Sequence, residues 1–165
     1  MKELLDKLSS YNIFNNLLPG IVFVVFAEFF LRRSFIQDDL VVGVFLYYFI
    51  GLLIGRIGSL FIEPLLKKIS FLKFADYKDF LSASKTDSKL EVLSEVNNMY
   101  RTFVALFATL LIARLYEEVE AILPVLKEAS SFVAVVAITT LFVVSYRKQT
   151  SYIKRRVEAN KEVKP

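Results

Sequence analysis

The sequence predicts an all-α, polytopic membrane protein with four transmembrane helices and cytoplasmic helical extensions, and three observations carry that expectation. Apolar residues make up 55% of the 165-residue chain and aromatic residues 15%, with a mean hydropathy of +0.49, which is more grease than an ordinary soluble domain carries. The apolar residues collect in four runs that the charged residues, 23% of the chain, almost entirely avoid. Lysine and arginine fall mainly on one side of the arrangement those runs impose.

The first run is Leu17 to Leu31, interrupted by Glu28 and closed by Arg32 and Arg33. It reads as a membrane helix rather than a signal peptide. Glu3, Asp6 and the asparagines Asn12, Asn15 and Asn16 precede it, and no small-x-small cleavage site follows. Leu4, Leu5 and Leu8 form a weak amphipathic stripe ahead of it, and the Pro19-Gly20 pair predicts a break at its inner mouth. The second run, Leu40 to Ile62, is broken only by Arg56. Phe103 to Tyr116 and Phe132 to Tyr146 complete the set.

A hydrocarbon core of about 30 Å needs roughly 20 helical residues, so three of the runs must borrow length from their flanks. The expected crossings are about 15–33, 39–60, 99–118 and 129–147, within one membrane domain covering 1–165. A cytoplasmic helical segment over 63–100 and a basic cytoplasmic tail over 147–165 complete it.

Two basic residues precede the first run, eight lie between Arg56 and Arg101, and seven follow from Arg147, against only Arg32, Arg33, Arg114 and Lys127 in the short connections. The positive-inside rule therefore places both termini and the central segment in the cytoplasm. The outer face is acidic, with Asp38, Asp39, Glu117, Glu118, Glu120 and Glu128.

Ser88 and Glu91 read as a capping box opening one long helix that continues beyond Tyr116, with Leu90, Leu93, Val96 or Asn97, and Tyr100 at helical spacing. Tyr146, Thr150, Ile153 and Val157 form a matching stripe on the tail. Two readings stand for these projections: they pair, with Glu91 and Glu95 facing Arg147, Arg155 or Arg156, or the tail is a solvated basic segment holding anionic lipid. Between the second and third runs Pro64 suits a first helical turn. Phe71, Phe74, Tyr77 and Phe80 then recur every three residues among lysines, as in a helix lying in the interface or packed beneath the bundle.

The chain has no cysteine, histidine or tryptophan, which removes disulfides, the usual ligands of zinc and haem, and serine–histidine or cysteine–histidine catalysis. No nucleotide-binding, calcium-binding or nucleic-acid motif occurs, so no cofactor and no nucleic-acid partner are expected. Glu28 is the first functional candidate, because an ionisable group in a membrane run costs several kcal/mol unless partnered. Counted outward from Leu17 and Phe103, Glu28 and Arg114 both lie about 16 Å along their helices. Tyr47, Tyr48, Thr139 and Thr140 fall near the same level. The expectation is an intramembrane polar layer built on a Glu28–Arg114 pair, or both charges at the outer headgroups.

Gly51, Gly55, Gly58 and Ser59 form a small-residue packing face. Asn12, Asn15, Asn16, Arg56, Asn97 and Asn98 form a polar set at the inner mouth, where Arg56 reaches the headgroups or Glu63.

The strings YNIFNNLLPG, FADYKDF, SEVNNMYRTF and SYRKQTSYIKRR resemble those of small, uncharacterised bacterial four-span membrane proteins. In outline these are similar to membrane components of bacterial defence or signalling operons, and the resemblance implies no residue roles. The expected function is non-enzymatic: a scaffold, sensor or effector, in contact with membrane lipids, that engages another copy or a partner protein through its cytoplasmic stalk. The alternatives are an oligomeric ion channel or transporter using the Glu28 and Arg114 layer, and, less favoured, a lipid-acting membrane enzyme.

Overall fold

The computed structural model describes residues 2–123 and 125–162, with side chains described over 13–123 and 125–160. The side chain of Asn12, the Leu4, Leu5 and Leu8 stripe and the last three residues of the tail lie outside that description. Among the described residues the chain forms helices and no strand: α1 (Lys2–Phe30), α2 (Leu40–Ile57), α3 (Glu63–Lys68), α4 (Tyr77–Ser84), α5 (Lys89–Ile122) and α6 (Val125–Glu162). A π-helical turn, Gly58–Ile62, joins α2 to α3, so the two form one rod. Asp39 starts that rod by accepting the Val42 N–H at 2.9 Å, an N-terminal cap for an otherwise uncharged first turn.

Three of the helices are long and apolar enough to cross a membrane, over Ile13–Phe30, Leu40–Lys68 and Val125–Asn160. Phe29, Leu40, Phe45 and Phe132 are each more than 70% exposed on the surfaces of these rods. Apolar exposure on that scale, on helices of spanning length, suits surfaces that face lipid, as in a helical membrane protein. α5 is not one of the three. Its apolar stretch is bounded by Arg101 and Arg114, and Glu117, Glu118 and Glu120 follow.

α1, α2 and α5 share one core, made of Phe23, Val24 and Ala27, of Ile54, and of Ala105, Leu106 and Leu110. Phe26 meets Phe107 edge-to-face at 5.4 Å between ring centroids, a favoured aromatic geometry. α1 and α2 run antiparallel and touch through backbone: a Cβ at Gly20 would overlap the Tyr47 carbonyl, and one at Gly51 would overlap the Asn16 carbonyl. α6 adds nothing to this core. It leans on α2 through the stacked Phe49 and Phe142 rings, 6.1 Å apart, and through Lys148.

Three local expectations give way to the structure. α1 runs unbroken through Pro19. The ring removes the N–H that would have met the Asn15 carbonyl, and the helix continues so that Gly20 packs against the α2 backbone.

The helix expected through Phe71 and Phe74 is absent. Ser70 adopts a positive φ of 60°, residues 72–76 are irregular, and α4 begins only at Tyr77, where Asp76 accepts the Lys78 N–H at 2.8 Å. An Asx cap starts a helix at its own position whatever the spacing of the rings before it. The capping box does not form either. Ser88 is itself helical and makes no side-chain cap, while Asp87 accepts the Lys89 N–H at 2.9 Å.

Candidate functional site

Polar side chains concentrate at the two ends of the α1–α2–α5 core. At the end bearing Arg32, α1 and α5 are tied by Glu117, whose buried carboxylate accepts the Arg32 backbone N–H with both oxygens at 3.0 Å. Glu118 takes the Arg32 and Arg114 guanidinium groups at 3.1 and 2.6 Å, and Glu120 pairs with Arg33. This cluster replaces the expected Glu28 layer. Arg114 is held by Glu117 and Glu118 on its own helix, whereas Glu28 is exposed and forms no ion pair among the described residues.

Partners three and four residues away lie on the same helix face and cost little ordering, so they win over a partner matched only in depth. The other members of the layer are also satisfied nearby. The Tyr47 hydroxyl accepts the Gln37 N–H at 3.1 Å, and Thr139 and Thr140 donate to the carbonyls of Val135 and Val136 one turn back. Tyr48 is half-buried on α2 with no hydrogen bond to the other five members of the layer.

At the opposite end, a cavity of about 270 Å³ opens between the helices, lined by Asn15 and Asn16 of α1, Gly55, Arg56 and Ser59 of the α2 rod, and Asn98, Arg101 and Thr102 of α5. The structure thus brings four of the inner-mouth residues to one place: Asn15, Asn16, Arg56 and Asn98. Asn97 points elsewhere and is exposed. Of the small residues, Gly51 seats α1, and Gly58 lies 3.2 Å, measured from an ideal Cβ, from both Ala105 Cβ and the Arg101 carbonyl on α5. Gly55 meets nothing within 4 Å, so its missing side chain enlarges the cavity rather than serving a contact. Ser59 is tied to α6, its hydroxyl and its carbonyl both taking Lys148 Nζ.

The charge balance of this end is one-sided. Glu63, the carboxylate beside the cavity, is already engaged by Lys67 at 3.0 Å and by Arg101 at 2.6 Å, and not by Arg56. Arg56 forms no ion pair among the described residues, and Arg101 Nε and Ser145 Oγ are buried without a hydrogen-bond partner there.

Comparison with family models, curated proteins and solved structures finds no match for this chain. The chemistry therefore rests on the side chains themselves: the cavity is lined by two guanidinium groups with amides and hydroxyls and by no carboxylate, an arrangement suited to holding an anion. Reading the sequence missed Arg101, Thr102, Ser145 and Lys148. The first had a signal, since Arg101 opens the third run at the level where Glu63 closes the second.

Proposed function

We propose that the chain crosses a bacterial inner membrane four times, with both termini and the 63–100 segment in the cytoplasm. In this reading it acts without catalysis, as a scaffold, sensor or effector whose cytoplasmic helices dock another copy or a partner protein. α5 supplies the fourth crossing. Its segment between Arg101 and Arg114 spans about 20 Å and runs in the direction of α1, and arginines at both ends snorkel to a locally thinned slab.

One observation carries the docking reading. α5 has 34 residues and α6 has 38, about 51 and 57 Å of helix against a hydrocarbon core of about 30 Å, so both project beyond it. On the projecting parts Leu93 and Tyr100 are more than 60% exposed, and Val92, Ile153 and Val157 are exposed with them. In this reading lipid tails do not reach Val92, Leu93, Ile153 and Val157, and apolar groups left in water mark a surface for protein. α4 sits against this region, with Arg155 of α6 5.9 Å from the Tyr77 ring and with Glu91, Glu95 and Arg156 bordering one shared depression. An oligomeric pore built on Glu28 has no comparable support.

The chain has no cysteine, so single-cysteine labelling tests the crossings directly. A membrane-impermeant maleimide should reach Gln37→Cys and Leu123→Cys from outside intact cells, and Ser84→Cys and Ser151→Cys only after permeabilisation. Labelling of Ser84→Cys and Leu123→Cys from the same side would remove α5 from the membrane. In mild detergent the particle should exceed the mass of one 19.0 kDa chain, and Leu93→Asp with Tyr100→Asp should reduce it to one. A lone chain in the unaltered protein, with no other protein co-purifying from the membrane, defeats the docking reading.

A further inference from the structure

We infer that the protein holds one anionic glycerophospholipid at the cytoplasmic end of the α2–α6 seam, with its phosphate on Arg56 and Lys148 and one acyl chain in the groove above. Two features that touch one another support this assignment. Between α2 and α6 runs an apolar groove of about 460 Å³, walled by Leu53, Ile57 and Leu60 on one side and Ala137, Leu141 and Val144 on the other. From Leu53 to Leu60 it follows α2 for about 10 Å.

Leu60 also borders a narrow polar recess with Arg56, Ser59, Ser145, Lys148 and Tyr152, so the groove opens directly onto cations at its foot. That recess is about 20 Å³, room for one water, and a phosphate therefore lies at its mouth rather than within it.

The polar end lacks an anion. No carboxylate lines the recess or the groove. Arg56 forms no ion pair among the described residues, Lys148 Nζ donates only to the neutral carbonyl and hydroxyl of Ser59, and the Ser145 hydroxyl is buried without a partner. Cations at the inner membrane surface without protein counterions attract anionic headgroups, and a phosphate at the mouth of the recess takes guanidinium and ammonium donors together.

Depth agrees. Counted from Leu40, Arg56 lies about 24 Å and Leu60 about 30 Å along the rod, so the foot of the groove, where Leu60 also borders the recess with Arg56 and Lys148, falls at the inner boundary of a core of about 30 Å. A soluble phosphate would use the cations and leave the groove empty; a zwitterionic lipid would fill the groove but bring its own ammonium to a site already rich in cations. The inference requires α2 and α6 to lie in a bilayer and is independent of cytoplasmic docking. A lone chain that retains the lipid therefore removes only the docking reading.

The test uses full-length protein purified in mild detergent, stripped of lipid, and incubated with phosphatidylglycerol or phosphatidylcholine of the same acyl chains. Bound lipid is counted by native mass spectrometry. The expected result is one phosphatidylglycerol per chain, with phosphatidylcholine about tenfold weaker. Arg56→Gln, which has no ion pair to lose, should weaken phosphatidylglycerol binding about tenfold, the loss of one charge-assisted contact.

Ala137→Phe should block the groove with all cations in place, and Arg33→Gln at the other end should change nothing. Equal binding of the two lipids, or unaltered binding in both Arg56→Gln and Ala137→Phe, overturns the assignment. Displacement of phosphatidylglycerol by millimolar inorganic phosphate overturns the lipid as occupant and assigns the cations to a soluble anion.

Discussion

Replacing Gly51 by alanine should separate α1 from α2, and the structure sets the size of the effect. The new methyl overlaps the Asn16 carbonyl and lies 3.0 Å from the Gly20 nitrogen, all main-chain atoms of a helix that cannot rotate out of the way. Restoring ordinary contact at about 3.5 Å requires the helices to move apart by roughly 1–2 Å, which loosens the packing between them. Overpacking of this kind costs about 1–3 kcal/mol, and a backbone obstacle places Gly51 near the upper end.

Alanine also favours a helix over glycine by about 1 kcal/mol, which blurs the comparison with the parent protein. Gly55→Ala removes that ambiguity, because its methyl meets nothing within 4 Å and reports propensity alone. The Gly55→Ala variant should be more stable than the parent by about 0.5–1 kcal/mol, and Gly51→Ala less stable than Gly55→Ala by about 3 kcal/mol. Gly58→Ala, with neighbours at 3.2 Å, should fall between them.

Because Gly20 and Gly51 face each other, opening the helices for one methyl makes room for the second. The double variant should therefore cost less than the sum of the singles, by at least about 0.5 kcal/mol. Equilibrium unfolding in mixed detergent micelles, followed by helical circular dichroism, measures the parent, the four single variants and the double. Equal stability of Gly51→Ala and Gly55→Ala would refute the contact between the two backbones.

The cluster of charges at the other end makes a similar distinction. Glu117→Ala leaves the Arg32 N–H without its carboxylate and should destabilise the fold by about 2–3 kcal/mol in the same assay, whereas Glu118→Ala, at 48% side-chain exposure, should cost less than about 1 kcal/mol. Equal losses at the two positions would mean that Glu117 is not the tie between α1 and α5. Glu28→Gln should leave stability within about 0.5 kcal/mol of the parent, since no ion pair is lost; a drop of more than 2 kcal/mol would restore it as a buried partner. Thr139→Val and Thr140→Val should be equally silent, their hydroxyls being spent on their own helix.

The sequence by itself determined where the apolar runs lie and that the chain is helical, and of the six polar residues it grouped at one end, Asn15, Asn16, Arg56 and Asn98 line one cavity while Asn97 does not. Hydropathy and depth along a helix are one-dimensional quantities, and residue spacing reports them directly. Which faces meet is a matter of azimuth, and each residue turns the helix by about 100°, so small errors in phase change the partner entirely.

Depth alone paired Arg114 with Glu28, while the fold, through local reach, gave it Glu117 and Glu118. The π-helical turn at Gly58–Ile62 adds to that uncertainty, because it changes the angular step midway and shifts every face beyond it. Only the tertiary structure decided that Gly55 opens a cavity, that Arg101 rather than Arg56 holds Glu63, and that α6 stands off a three-helix core along a seam with a cationic foot.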